Sequence, residues 1–365
     1  GNAFEGRGTR SVWFNGKRGA RAKSKAALSA ETNWYFDGYR LYVYSDGDPA
    51  KRYRDPGIEL PVRLEGIRID KRPYKQRDHQ YITIQDLHLC KIRSTGIEAV
   101  NCNHVTVRNC HIEWVGPGDK WKDYFHDSVA VGFNHNASFG LVDGCELHDS
   151  MCGVYIGTAE PGYAAKGNSV TNTRIYNVHS GINAKVHATG GLFEGNVITD
   201  VETQGIRSVG DEKAGNRIVR NYIARCRMEG IQLHSNNTVA YNIVVSCERA
   251  PIIVIGSSGT TEDNINAGDN NRIFNNVLYD SPKHAGIALL NHRDGTDTTG
   301  NVVKNNIFVG IFLPIRFSGV IPAAGGGNVF DNNCYWNPGS AYAKKPGRLS
   351  MDKWDQEFGW GRHSI

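Results

Sequence analysis

Lys185 and Arg207 are the residues whose type and spacing best suit acid–base chemistry on an anionic group. In "SGINAKVHATGG" (180–191) Ile182, Ala184 and Val186 alternate with Asn183, Lys185 and His187, so one face is apolar and the other carries an amide, an amine and an imidazole. Arg207 follows Lys185 by 22 residues in "GIRSV", and Gln232 and His234 follow in "GIQLH". Elimination from a uronic acid needs a cation to neutralise the carboxylate and a base to remove the proton on the adjacent carbon. Arg207, as a like charge beside Lys185, lowers the lysine pKa and leaves a neutral amine available at about pH 7 to 8. The catalytic candidates are therefore Lys185, Arg207 and His187. Tyr155, Asn183, Gln232 and His234 are candidates for substrate binding, together with His292 and Arg293 in the insertion "NHRDGTDTTG".

These side chains converge only if the strands that carry them stack. Between residues 79 and 335 a unit recurs: a turn, a strand such as "VRNCHI", "EGNVI", "VRNYI" or "KNNIF", a spacer, and then "GI" with alternating residues. Leu87, Cys110, Cys145, Thr173, Asn196, Asn221, Asn242, Asn276, Asn306 and Asn333 occupy one equivalent position, at spacings of 23, 35, 28, 23, 25, 21, 34, 30 and 27 residues, which gives about ten coils. Asparagine in fixed register suits a stacked turn, because its amide both donates and accepts along the stack. The residue after each Gly, Ser or Pro of the second strand is Ile or Val and makes an inward apolar column. The expected fold is all-β, a β-solenoid of parallel coils with an interior Asn ladder.

The next residue out then forms a column of Glu98, Ala130, Tyr155, Asn183, Arg207, Gln232, Ile253 and Ala288, and the following one a column of Val100, Gly132, Gly157, Lys185, Val209, His234, Ile255 and Leu290. Coils stack about 4.8 Å apart, so Lys185 and Arg207 reach one bound group. Insertions such as "VGPGDKWKDYFHD" and "GTAEPGYAAKGN" are long enough to wall a groove, and Trp121, Tyr124 and Tyr163 within them are candidates for stacking on sugar rings.

With this ladder and coil period, the chain resembles the right-handed parallel β-helix of the pectate lyase-like superfamily, whose members are mostly lyases, hydrolases and epimerases of polysaccharides. "VWFNGKRGARAK" and "NWYFDGYRLYVYSDGDP" resemble the segment that precedes the helix in many bacterial β-helix carbohydrate enzymes. "SGINAK" resembles the strand of the catalytic lysine in calcium-dependent pectate lyases, and Arg207 resembles the basic partner on the next coil in alginate and chondroitin lyases of this fold. The resemblance implies a secreted or periplasmic polysaccharide lyase acting on an acidic, uronic acid-containing polymer, with Lys185 as base. Ser180 stands where the pectate lyase setting has an aspartate, and no Asp or Glu cluster surrounds Lys185 at calcium-ligand spacing. No metal or other cofactor is therefore expected, Ca²⁺ included.

Three alternatives remain at this stage. A glycoside hydrolase needs two carboxyl groups about 5 to 9.5 Å apart; Asp127, Glu202, Asp211 and Glu229 lie beside the "GI" strands, with Asp127 and Glu229 in equivalent positions. A C5-epimerase shares the proton removal, and a glycan-binding solenoid shares the groove without the chemistry.

The remaining composition bounds the reading. The formal charge is +5 and the first 30 residues carry +6, so the other 335 sum to −1. The basic arm is read as solvated charge, with no nucleic-acid partner, and no apolar run is long enough for a membrane span. None of the 8 cysteines sits in a CxxC pair, so buried free thiols are expected and a zinc site is not. Residues 1–78 read as a basic segment and cap with a hairpin turning at Gly38, 79–335 as the helix, and 336–365 as a C-terminal cap in which Trp354 and Phe358 cover the last coil.

Overall fold

The computed structural model describes residues 11–70, 79–116, 128–157, 162–185, 187–209, 214–258, 265–266, 268–290, 298–318 and 327–336, with shorter pieces up to residue 365. The chain winds as a parallel β-helix. Ten three-residue strands, from Thr83–Gln85 to Val329–Asp331, stack coil upon coil in one parallel sheet. Each is followed by a turn and then by strands of a second large sheet. Glu146–Ile156 shows the arrangement: residues 146–150 pair with 111–115 and residues 152–156 with 129–133, all parallel. Glu65–Asp70 already pairs in parallel with Thr95–Val100, so the stack begins ahead of residue 79.

The turn between the two sheets is held as its residue types require. Asn196, Asn221, Asn242, Asn276 and Asn306 each donate from Nδ2 to the Oδ1 of the next ladder residue, ending at Asn333, at 2.9, 2.9, 3.0, 2.9 and 3.1 Å. Cys110, Cys145 and Thr173 continue the ladder: the Cys145 backbone N–H donates to Thr173 Oγ1 at 3.3 Å and the Thr173 N–H to Asn196 Oδ1 at 3.0 Å. The residue before each ladder position is left-handed, Arg220 (φ 57°) and Tyr241 (φ 60°) included. Such residues cost roughly 1–2 kcal/mol each outside glycine. The ladder and the coil-to-coil bonds of the same turn, such as Arg220 N–H to the Ala240 carbonyl at 3.1 Å, hold them there.

A second interior ladder went unread in the sequence. Asn168, Asn216, Asn237, Asn271, Asn301 and Asn328 each stand five residues before a member of the first ladder. Asn237, Asn271 and Asn301 bond down the stack at 3.2, 2.9 and 3.1 Å.

The inward column after the glycines is continuous. Ile97, Val131, Val154, Ile182, Ile206, Ile231, Ile252, Ile287 and Ile315 are all buried. Val131, not Val129, pairs with Ile97 and Val154, and Gly132 pairs with Glu98 and Tyr155. The outward column therefore reads Glu98, Gly132, Tyr155, and Ala130 takes the glycine place; the expected assignment was two residues out of phase in this coil. Glycine is needed before the Ile because coils approach closely there: a Cβ on Gly181 would lie 2.2 Å from the Gly205 carbonyl oxygen.

At the N-terminal end Trp34–Phe36 and Leu41–Val43 form the expected antiparallel hairpin, with the Asp37 carboxylate accepting from the N–H groups of Tyr39 and Arg40 across the turn. Part of the basic arm is used in packing: Arg18 lies over Trp13 and Trp114 at 5.8 and 5.7 Å, Arg21 over Trp34 at 5.5 Å and Lys25 over Tyr42 at 4.3 Å. Trp354 and Phe358, assigned to a C-terminal cap, fall outside the described residues. Cys102, Cys110, Cys145, Cys152, Cys226 and Cys247 are buried free thiols as expected, whereas Cys90 is exposed and Cys334 half-buried. No described helix is long and apolar enough to cross a membrane.

Asn221 accepts two bonds from Asn196 and donates to the Phe193 carbonyl and to Asn242. Asn221→Ala leaves these buried groups unmet and is expected to cost about 2–4 kcal/mol, measured by urea unfolding. Tyr222→Ala on the same coil, at an exposed position, is expected to cost much less.

Candidate functional site

The outward positions of the middle coils open into a cavity of about 250 Å³ lined by Met151, Cys152, Tyr155, His179, Ser180, Asn183, Lys185, Thr203, Gln204, Arg207, Met228 and Gln232. Its floor is one register column, Tyr155, Asn183, Arg207 and Gln232, on four successive coils. Lys185 sits at the end of the Asn183 strand, its backbone N–H bonded to the Ile156 carbonyl at 2.8 Å. Five of the nine residues assigned to the site by sequence thus share one cavity.

The other four do not. The strand ends at Ala184, and the Ala188 N–H closes a turn onto the Lys185 carbonyl at 3.0 Å. That turn takes His187, with φ 64°, off the strand and away from the cavity lining. His234 is buried and its Nδ1 has no hydrogen-bond partner among the described residues. It is packed beside Arg207 and not on the cavity wall. His292 and Arg293 lie outside the described residues, as do Trp121 and Tyr124, while Tyr163 packs edge-on against His135 at 4.6 Å.

The residues missed by sequence reasoning are those at the corner ahead of the glycine: Cys152, Ser180 and Gln204, with Met151, His179, Thr203 and Met228 behind them. Ser180 Oγ and Asn183 Oδ1 are buried and have no hydrogen-bond partner among the described residues, so two polar atoms of the lining are left for a ligand. The signal was the coil register itself, which places Cys152, Ser180, Gln204 and Glu229 in one column ahead of Gly153, Gly181, Gly205 and Gly230.

The electrostatics favour an anion. No carboxylate is among the described lining residues. Burial, more than the neighbouring Arg207 charge, holds the Lys185 amine below the ordinary lysine range; Cys152 acts weakly the other way. Burial pushes the Cys152 thiol and the Tyr155 hydroxyl up to about 12 each, so both stay neutral beside the cations. Burial also lowers His179, opposed by Glu202, and takes His234 down to about 3, helped by Arg207. Two cations thus face a pocket whose other titratable groups are held uncharged.

Two of the four carboxylates considered for a hydrolytic pair, Glu202 and Glu229, are described, and both are ion-paired. Glu202 pairs with Arg227 at 2.5 Å, and Glu229 accepts from Gln204 at 3.0 Å and Arg249 at 3.4 Å. Asp127 and Asp211 lie outside the described residues. The corrected phase puts Val129, not Asp127, in register with the column of Glu229.

Comparison with known proteins places this geometry in a wider setting. A family model described as the right-handed beta helix region matches residues 95–266, and no curated protein matches the chain. Among solved structures, the complex of XylC with xylose is similar at 14% identity and a TM-score of 0.55, over 89% of this chain and 56% of that one. The catalytic domain of a GH87 α-1,3-glucanase with nigerose is similar at 12% identity and 0.51, over 77% and 61%. DFA-IIIase from Arthrobacter chlorophenolicus A6 with GF2 is similar at 12% identity and 0.50, over 79% and 71%. The chain thus spans just over half the length of the first of these.

A lysine whose amine is easier to deprotonate in the folded chain opposes folding while it is charged. The sign follows: the cost is fully present below the lowered folded pKa and disappears as pH rises to the ordinary lysine value. Lys185→Met is therefore expected to raise the melting temperature at pH 7 and to lose most of that advantage near the ordinary lysine pKa of about 10.4, as read by thermal denaturation across pH.

Proposed function

On a right-handed parallel β-helix, the fold this chain shares with the pectate lyase-like superfamily, we propose that the chain is a polysaccharide lyase that cleaves a uronic acid-containing polymer by β-elimination. The observation that carries the reading is that half-buried Lys185 and Arg207 share a cavity with no carboxylate among the described residues of its lining. A glycosidase of either stereochemistry needs two carboxyl groups there, whereas an elimination needs a base and a cation. That the similar solved structures include sugar complexes supports a saccharide ligand.

In this reading the Arg207 guanidinium binds the uronate carboxylate, and the Asn183 and Gln232 amides, one coil to either side, hold the ring against it. Neutralising the carboxylate acidifies the C5 proton, which the neutral Lys185 amine removes. The electron pair forms the C4–C5 double bond and the C4–oxygen bond breaks. The departing oxygen takes a proton from the Tyr155 hydroxyl, which burial keeps protonated. The Tyr155 proton is replaced through the Lys185 ammonium, which restores the base. Action on an extracellular polymer makes a secreted or periplasmic location part of this proposal.

The test is absorbance in the ultraviolet band of an unsaturated uronate, followed on pectate, alginate, glucuronan and glycosaminoglycans. The expected result is a rise with wild type and a loss of at least about 10²-fold in Lys185→Ala, the low end of general-base catalysis. New reducing ends without the rise would replace this reading by hydrolysis. Because Arg207 helps to hold the Lys185 amine down, Arg207→Gln is expected to lower the rate and to move the acidic limb of the pH–rate profile, where the base loses its neutral form, to higher pH. A limb that stays in place would remove Lys185 from the role of base.

A further inference from the structure

On the first half of the large sheet, away from the cavity lining, three histidines from successive coils approach one another around the carboxylate of Glu113. His88 and His111 are register partners with rings stacked 4.5 Å apart, and the His148 ring follows at 5.0 Å with Tyr176 beyond it. Glu113, on the same strand as His111, lies between them: its Oε1 is 2.9 Å from His88 Nε2 and its Oε2 3.9 Å from His148 Nε2. His111 Nε2 and His148 Nε2 are 2.8 Å apart. We propose that His88, His111, Glu113 and His148 form a binding site for a zinc-type divalent transition metal ion that pins three coils together.

The argument is one of donor type, direction and spacing. Asp149 Oδ2 is 2.6 Å from His148 Nδ1, so the proton of that ring is held at Nδ1 and the Nε2 lone pair faces Glu113 and His111. Asp149 reaches back to its neighbour's ring because it sits in a left-handed bend, φ 52°, and Asn177 fixes its other oxygen. This is the carboxylate–histidine arrangement that orients metal-binding imidazoles. A tetrahedral zinc with ligands at about 2.0–2.1 Å sets donor–donor edges of about 3.3 Å, and the distances of 2.8, 2.9 and 3.9 Å straddle that value. Candidate ligand atoms of His88, His111 and Glu113, and of Glu113, His148 and Asp149, lie within 4.8 Å of one another in each set. Three imidazoles and a carboxylate are borderline donors, suited to zinc and not to calcium or magnesium. Four protein ligands fill a tetrahedral shell, so the ion acts as a staple and not as a catalyst.

Cysteine spacing carries no trace of this site. The ligands come from positions 88, 111, 113 and 148, whose separations carry meaning only once the coils are in register.

The test is calorimetric titration of the chelator-treated full chain with zinc chloride, with cobalt as a spectroscopic probe. The expected result is one ion per chain, visible-band absorbance of tetrahedral cobalt, and a melting temperature that rises with zinc. His88 is exposed, so His88→Ala leaves the fold in place, and Glu113→Gln removes the shared carboxylate with little change of shape. Each is expected to weaken zinc binding by roughly tenfold or more, and Asp149→Asn to weaken it about 10–100-fold through the orientation of His148. The proposal is overturned if wild type binds no zinc, or if His88→Ala and Glu113→Gln both bind it within tenfold of wild type.

Discussion

Every feature of this protein depends on one constraint: each coil must lie over the previous one with equivalent residues in contact, at the roughly 4.8 Å spacing of parallel strands. A turn repeated at that spacing would bury unpaired amide groups on every coil. The Asn ladders meet this by making each side chain both donor and acceptor to its neighbours, from Asn196 to Asn333 in one ladder and from Asn237 to Asn328 in the other. Where the ladder changes to Thr173, Cys145 and Cys110, a hydroxyl and two sulfurs still accept from, or lie against, the backbone of the preceding coil. The same stacking explains the glycines, because the close approach of coils at Gly181 and Gly205 leaves no room for a side chain.

The constraint also determines what the groove can do. Stacking brings residues of neighbouring coils together, and the charge of Arg207, the register partner of Asn183, acts on Lys185 from the adjacent coil. Among the described residues no lining carboxylate relieves it; burial instead favours the neutral forms of the surrounding Cys152, Tyr155, His179 and His234. Desolvation of Lys185 and its repulsion by Arg207 are therefore carried by the fold.

Much of this was legible without coordinates, and the failures have specific causes. The ladder, the coil number and the column Tyr155, Asn183, Arg207, Gln232 follow from periodicity, since stacking turns sequence spacing into distance. The phase differs at Val129–Gly132 because the residues 117–127 interrupt the repeat in sequence, and the small residue nearest the expected glycine place is Ser128, whereas Ala130 occupies it. His187 was assigned by extending an alternation two residues past the point where the strand ends. The corner residues Ser180 and His179 were passed over for the opposite reason: the chain bends ahead of Gly181, and outward-facing positions on the two sides of a bend belong to different alternations.

The histidine cluster was beyond reach for a deeper reason. Each coil contains a second left-handed position between the two halves of the large sheet, seen at Lys91, Trp114, Asp149, Asn177, Asp200 and Arg225. Charged and bulky residues occur there as readily as asparagine, so the position has no composition signature. Its effect is to turn the following strand and to swing its own side chain back along the preceding one. At Asp149 that swing brings a carboxylate to His148 Nδ1, and the donor set then depends on a diagonal contact between His111 and His148, which register alone does not reveal. Straight columns can be read from a solenoid sequence. Contacts made across a bend, or diagonally between coils, require the backbone.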